Sequence, residues 1–442
     1  MDRQELKRRV SQEIDRRGEE LIRVAQVILD HPEPGFREVR TSALVQERFR
    51  DMGIPHEGGI ALTGVKGYLE GGGPGPTVAV IGELDSLIVP GHSRADPATG
   101  AAHACGHHAQ IGMMLGVAAG LQAEGVLPAL SGRVALMALP AEEYIELEFR
   151  QELRRLGKIE YLGGKSEFIR LGRFDDVDIA MMTHVTSNGG ERRLAIEGTN
   201  NGLLAKLVQF HGRAAHAGGA PHKGINALSA AQIALGAINA QRDTFQERDS
   251  IRVHSIITRG GDSVNSVPAD VRMETFVRGR TVKAIVDANA KVDRSLRAGA
   301  MAMGASVTIT TLPGYLPLVS DKNLSRLYRA NAVGLVGEEE VGQIRHRGSS
   351  TDMGDVTQIL PAIHPYVGGA TGAGHGDDYL IQDWENTVLT AAKAMAHTVV
   401  DLLADGAAQG REIKAEHKPR MSKEAYLAFL AGNTREEVYR PE

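Results

Sequence analysis

Apolar positions change their period several times along the chain, and each change marks an element. The opening stretch MDRQELKRRVSQEIDRRGEE is charged and helical in pattern. RVAQVILDHPEPGFREVRTSALVQERFRDMG keeps helical spacing, breaks at HPEPGF, and resumes until Gly53. In EGGGPGPTVAVIGELDSL a Gly/Pro turn leads into a short apolar run, which predicts a buried strand over residues 77–81 with Glu83 and Asp85 at its C-terminal end. That form recurs: GRVALMALPAEE predicts a strand ending in Glu142 and Glu143, and DVDIAMMTHVTSN a strand ending in His184. Between the first two, Ile111, Met114, Leu115, Ala118 and Leu121 follow the 3.6-residue period of an amphipathic helix. Strand, helix and strand in alternation predict an α/β sheet, and the functional crevice of such sheets lies beyond the C-terminal ends of the strands. Glu83, Asp85, Glu142, Glu143 and His184 all fall there.

From about Thr199 the texture changes. LLAKLVQFHGRAAHAG predicts a strand and loop, NALSAAQIALGAINAQRD a helix, DSIRVHSIITRGG and SVPADVRMETFVRG two paired strands, VKAIVDANAKVDRSLRAGAMAMG a second helix and SVTITTLPGY a last strand. The order β-α-β-β-α-β is that of a self-contained ferredoxin-like α+β unit. The expected organisation is therefore an α/β catalytic domain formed by residues 1–198 and 316–442, interrupted by an inserted domain over 199–315. After the insert come RHRGSSTDMGDV, GGATGAGHGDDYL and a helix over residues 384–403.

Composition narrows the partners. A chain of 442 residues exceeds one core, which suits two or three domains. A net charge of −5 gives no reason to expect nucleic acid or an acidic membrane surface. The single cysteine rules out an intramolecular disulfide and fits a reducing compartment. No uncharged apolar run of about 18 residues, and no apolar signal core, is present, so the expectation is a cytoplasmic protein with no membrane partner.

Candidate chemistry concentrates in AAHACGHHAQIGMML, where His103, Cys105, His107 and His108 fall within six consecutive positions. Single histidines are usually surface or core groups and a lone cysteine a small hydrophobe. Four thiol and imidazole groups at this density suit a transition metal. Cys105 and His107 are two apart, so an extended loop presents both from one face. The adjacent Glu142 and Glu143 cannot both point the same way, which leaves one free to bind metal and the other to meet substrate. Taken alone, EE after a strand is more simply a solvated helix start. A metal ligand beside a carboxylate base is, however, the arrangement that makes hydroxide from bound water.

HACGH, PAEE, THV and the Gly-flanked histidine of GAGHGDD, in this order and spacing, resemble the dinuclear metallohydrolases that include aminoacylases, carboxypeptidases, auxin-conjugate amidohydrolases and aminobenzoyl-glutamate hydrolases. The resemblance covers nearly the whole chain. It implies a metallopeptidase-like α/β catalytic domain with the inserted ferredoxin-like domain. It implies Cys105, His107, Glu143, His184 and His375 as metal ligands, Glu142 as general base, and Asp85 as the acid that orients a ligand histidine. In HGRAAHAG it implies that His216 reaches a neighbouring subunit's active site, and in DSVNSVPAD that Asn265 binds substrate. The cofactor it implies is one or two divalent transition ions per subunit, Mn or Zn, with Co, Fe or Ni also compatible. The partners it implies are a small-molecule substrate and further copies of the chain, paired through the inserted domain.

The chain departs from that family's pattern beside the metals. His108 and Gln110 stand where the auxin-conjugate branch continues with Asp and His, Tyr144 follows Glu143 where Gly is usual, and the charged segment ELEFRQELRRLGKIEYLGGKSEF precedes the His184 strand. The expected reaction is hydrolysis of a C–N bond in a small carboxylate-bearing substrate, an N-acyl or aminobenzoyl amino acid. The alternative is removal of the amino group from an aromatic amine such as nitroanthranilate, a step of aromatic compound degradation. A non-catalytic metal-binding scaffold would be expected to lose Glu142 first. Arg278, Arg345 and Arg347 are candidate clamps for a substrate carboxylate, because the guanidinium fork matches it.

Overall fold

The apolar run at 77–81 is the middle of a longer strand, Gly73–Glu83, in the computed structural model, which describes residues 1–196 and 198–441. Val78, Val80 and Ile81 are buried because this strand lies inside a six-stranded sheet. It pairs in parallel with Ser131–Leu139 on one side and Ile179–Met181 on the other, and Ala362–Ile363 pairs in parallel with the latter. Gly64–Glu70 and His56–Ile60 extend the other side antiparallel. The stretch 176–188, expected to hold one strand ending in His184, forms two: Ile179–Met181 stays in this sheet, and His184–Val185 joins a separate four-stranded sheet with Leu194–Ile196, Val341–Gln343 and Tyr366–Val367. The switch happens where the first strand's apolar run gives way to Thr183 and His184.

Helix His107–Leu121 corrects the amphipathic expectation, since all of its residues are buried. Gly112, Gly116 and Gly120 form a stripe four residues apart along it. A Cβ on Gly116 would lie 2.8 Å from that of Ala392, and one on Gly120 would lie 2.9 Å from Ile14. The stripe thus lets helices Arg3–Arg16 and Ala391–Leu403 approach the central helix closely, and the apolar residues between its glycines fill the other faces. The helix expected over 384–403 opens with a π-helical turn, Glu385–Thr390. The charged segment after Glu143 forms two helices, Leu147–Arg155 and Gly164–Arg170.

The chain divides into two compact units. The first contains Met1–Gly198, Val319–Arg345 and Asp355–Arg420 and holds the sheets just described. The second contains Thr199–Leu318, His346–Gly354 and a C-terminal segment from Met421. Its strands run antiparallel in the order Arg252–Arg259, Asp270–Gly279, Gly202–His211, Ser306–Pro313, Arg435–Tyr439. The first four, with helices Ala227–Ala240 and Val282–Met303, give the β-α-β-β-α-β order and enclose their own core. The fifth strand was not visible in the alternation pattern; it is fastened by Arg435 to buried Asp293 at 2.7 Å and by Glu437 to Arg297 at 2.6 Å. Among the described residues no single helix is long and apolar enough to cross a membrane.

Candidate metal centre

In the first unit, strand ends and helix starts deliver the predicted residues to one largely buried place, with His375 exposed at its rim. Strand Gly73–Glu83 ends in Glu83, with Asp85 two residues on. Helix His107–Leu121 begins at His107, with Cys105 on the turn before it. Gly106 between them has φ +100, and a Cβ there would lie 2.8 Å from the Tyr379 hydroxyl, so only glycine suits the turn. Glu142 and Glu143 follow strand Ser131–Leu139, and His184 opens the short strand of the second sheet. His375 lies in a loop with φ +65, its backbone N–H bonded to the Ala104 carbonyl at 2.9 Å.

Three overlapping groups bring ligand atoms within 4.8 Å of one another: Cys105, His107 and His184; Cys105, Glu143 and His375; Glu83, His107 and Glu142. The imidazole tautomers follow from their outer partners. His107 Nδ1 donates to the Asp85 carbonyl at 3.0 Å with Asp85 Oδ1 at 3.2 Å, and His184 Nδ1 donates to the Val185 carbonyl at 2.7 Å. Each ring therefore turns the Nε2 lone pair into the pocket. His184 Nε2 lies 3.4 Å from Cys105 Sγ; His107 Nε2 lies 3.1 Å from a Glu83 oxygen, 3.8 Å from Glu142 and 4.0 Å from Glu143; His375 Nε2 lies 3.5 Å from Glu143. Electron-rich atoms converging in a buried place need a positive charge among them. Burial opposes charge on His107, yet Glu83 and Cys105 beside it favour a positive charge at Nε2, so that with a proton in the place an ion would take its pKa lies well above the ordinary imidazole value. Burial, and then the Glu143 carboxylate, push the Cys105 thiol well up. The donor set of thiol, imidazole and carboxylate fits a divalent transition ion.

The turn carrying the two glutamates is held by three buried charged groups. Glu38 Oε1 accepts the Ala141 N–H at 2.8 Å, Asp85 Oδ2 accepts the Glu143 N–H at 2.9 Å, and Arg150 donates to the carbonyls of Glu143 and, at 2.7 Å, of Leu162. Thr63 donates to the other Glu38 oxygen at 2.7 Å. Burial, with Asp85 nearby, pushes Glu38 up to about 7. These supports hold Ala141 at φ +55, an unfavourable backbone for alanine. Asp85 thus touches both His107 and the turn. On the far side, Glu83 is paired with Lys165 at 2.6 Å and with the Gln110 amide at 2.8 Å.

Sequence reasoning missed Glu38, Arg150 and Lys165. Nothing local flagged them, since each gains its role from a partner distant in sequence. The opening cluster also splits. Cys105 and His107 face the pocket, whereas His103 and His108 pack against each other with ring centroids 5.0 Å apart, and His108 meets Trp384. Burial pushes His108 down to about 3, so it is a neutral core ring.

In the second unit His216 and Asn265 are brought together: the Asn265 carbonyl accepts the Ala217 N–H at 2.8 Å, and His216 bridges to Ser266. His216 is exposed, and its Nδ1 accepts the N–H groups of Gly218 at 3.2 Å and Gly219 at 3.1 Å, which leaves the ring proton on Nε2. Arg278 of the same unit is half-buried and donates to His254 at 3.2 Å. Arg347, also in that unit, is half-buried, and Arg345, in the first unit, is exposed.

Comparison with known proteins gives a match to the family model "Peptidase family M20/M25/M40" over residues 79–401. A "Xaa-Arg dipeptidase" of Mus musculus is 27% identical over 448 residues, covering 96% of this chain and 95% of its own. An "IAA-amino acid hydrolase ILR1-like 4" of Arabidopsis thaliana is 25% identical over 364 residues, covering 79% of this chain and 77% of its own. Among solved structures, a dinuclear metal-binding peptidase of Bacillus subtilis shares the fold with a TM-score of 0.62 at 20% identity, covering 87% of this chain and 98% of its own.

Proposed function

We propose, for a chain that belongs to peptidase family M20/M25/M40, the hydrolysis of the amide bond of a small N-acyl or aminobenzoyl amino acid. It is a hydrolase acting on C–N bonds. The observation that carries the finer reading is the set of acceptor atoms around His107 Nε2 with Glu142 at its edge. Cys105, His107, Glu143, His184 and His375 would hold one or two divalent ions, of which Mn and Zn suit the mixed sulfur, nitrogen and oxygen donors. A bound ion supplies Lewis acidity and lowers the pKa of water.

The chain's own residues do the rest. Asp85 fixes the His107 tautomer and, through the Glu143 N–H, the turn that carries Glu142. Glu142 takes a proton from the attacking water and returns it to the departing nitrogen. His216, with its proton on Nε2, donates to the oxyanion that develops on the substrate carbonyl, and Asn265 beside it orients the substrate. His216 does this in a neighbouring subunit, so the working form is a homo-oligomer paired through the inserted domain. Arg278 and Arg345 are the clamps proposed for the substrate carboxylate. The names of the two relatives, a dipeptidase and an amino acid conjugate hydrolase, support an amino acid as the leaving portion. We place the protein in the cytoplasm, with no nucleic-acid or membrane partner.

A second reading is an aminohydrolase acting on an aromatic amine such as nitroanthranilate. It is favoured by Tyr144, a buried ring that stands directly after Glu143 where the family usually has Gly. Turnover of the metal-loaded protein on N-acyl amino acids, dipeptides, aminobenzoyl-glutamate and aminobenzoates separates the two. Release of ammonia from a ring without cleavage of any amide selects the second, and turnover of none defeats both.

A further inference from the structure

We propose that Glu83 is itself a ligand of the metal centre, held for that task by Lys165 and Gln110. The proposal rests on the metal-centre reading above and adds one residue to it. Glu83 ends the central strand with no exposure to solvent. Its Oε1 accepts from Lys165 Nζ at 2.6 Å and its Oε2 from Gln110 Nε2 at 2.8 Å, while Gln110 Oε1 accepts the N–H of Glu83 at 3.2 Å. This lock fixes the carboxylate from one side only. Oε2 keeps a further lone pair, and it faces His107 Nε2 at 3.1 Å.

In the tautomer set by the Asp85 carbonyl, that nitrogen also presents a lone pair. Among the described residues this buried nitrogen makes no hydrogen bond, although the Glu83 oxygen stands 3.1 Å away, and a cation held by both atoms would satisfy them together. Two ligand atoms about 2.1 Å from one ion would be separated by about 3.0 Å at an octahedral right angle and about 3.4 Å at the tetrahedral angle, and the separation found lies between these. Glu142 joins the same group, with all ligand atoms within 4.8 Å. Stability alone does not account for the arrangement, because a buried ion pair contributes little relative to apolar residues of equal volume.

Two of the sequence departures noted above, Gln110 and the charged segment, meet at this one carboxylate. Gln110 stands at a position where the auxin-conjugate branch carries histidine, and here it makes the two-way amide contact with Glu83. Lys165 lies at the end of the charged segment, just inside helix Gly164–Arg170. A Cβ on Gly164 would sit 1.7 Å from the Pro140 carbonyl oxygen, so glycine is what lets this helix start lie against the end of strand Ser131–Leu139 and deliver Lys165 to Glu83.

The test compares the metal-stripped native chain with the paired variant Glu83→Gln/Lys165→Met, which removes two opposite buried charges at near-constant volume. Both are titrated with Mn²⁺ and with Zn²⁺ by equilibrium dialysis, and circular dichroism checks the fold. The expected result is a loss of one ion equivalent, or affinity weakened by about tenfold or more. A folded paired variant that binds the same number of ions with the same affinity overturns the role of Glu83. Cys105→Ser/His184→Ala is titrated alongside: if it too binds ions unchanged, the metal-centre reading fails, and Glu83 with it. Should the paired variant not fold, a crystal of the native chain grown with Mn²⁺ decides. A Glu83 oxygen within about 2.5 Å of the ion supports the proposal, and a greater distance overturns it.

Discussion

Arg150 donates to the backbone carbonyl of Glu143 from a side chain with no exposed surface. The same guanidinium reaches the Leu162 carbonyl, so one residue ties the turn of the two glutamates to the segment that follows. Arg150→Met leaves these carbonyls buried without a charged donor and should destabilise the protein by about 3 kcal/mol. Arg150→Lys should recover less than half of that, because an ammonium lacks the planar fork. Urea midpoints of the three proteins measure both effects; equal midpoints for native and Met variants would remove the clamp from the account.

Glu142→Gln keeps the size of the side chain and abolishes the base. Turnover is expected to fall about a hundredfold or more, with metal content unchanged. Rate and bound metal are assayed on the same preparation, and an unchanged rate would assign the proton transfer elsewhere.

Cys105 is expected to react slowly with iodoacetamide when metal is bound and faster once a chelator has removed it, because a coordinated thiolate is shielded. Cys105→Ser should retain metal more weakly. Equal alkylation rates with and without chelator would return Cys105 to the role of a core thiol.

His397 joins two helices far from the centre: its Nε2 contacts the Lys7 carbonyl at 3.0 Å and Ser11 at 2.8 Å. Burial, with Lys7 nearby, pushes its pKa down to about 4. The folded state therefore binds this proton less readily than the unfolded chain, whose imidazole titrates near 6.5. The sign follows from linkage: stability is full above about 6.5 and is lost as pH falls from there towards about 4. His397→Gln keeps an N–H donor and does not titrate, so its urea midpoint should fall less over this window than that of the native protein. Parallel pH curves would contradict the assignment.

If His216 serves a neighbouring subunit, a mixture of inactive His216→Ala and Glu142→Gln proteins should regain activity once subunits exchange. Each hybrid pair has one centre with both residues intact. A mixture that stays inactive after exchange is verified by mass-tagged subunits would confine His216 to its own chain.

Much of this architecture was legible because it is written locally. The run at 77–81, the acids after it and the Cys105–His107 spacing are neighbours in sequence, and the alternation through 199–315 exposes a sheet with two helices directly. What was hidden depends on distant partners. Arg150 and Lys165 lie in a segment that the sequence marks only as charged, and the fold shows that both are buried. Gln110 was visible as a departure, while its bond to Glu83, 27 positions earlier, was not. The helix at 107–121 misled for a related reason: its glycines, read as gaps between apolar positions, give an amphipathic look to a segment that is buried all round.

Strand Arg435–Tyr439 pairs with Ser306–Pro313, more than a hundred residues earlier. During synthesis at about 5–20 residues per second, the earlier strand emerges from the ribosome and waits on the order of ten seconds for its outer neighbour. For that interval it presents an open edge of backbone donors and acceptors to every other nascent chain nearby. The first unit waits as well, since His375 and strand Ala362–Ile363 follow the first four strands of the inserted sheet. Yield in a cell should therefore depend on translation speed and chaperone supply as much as on the stability of the finished molecule.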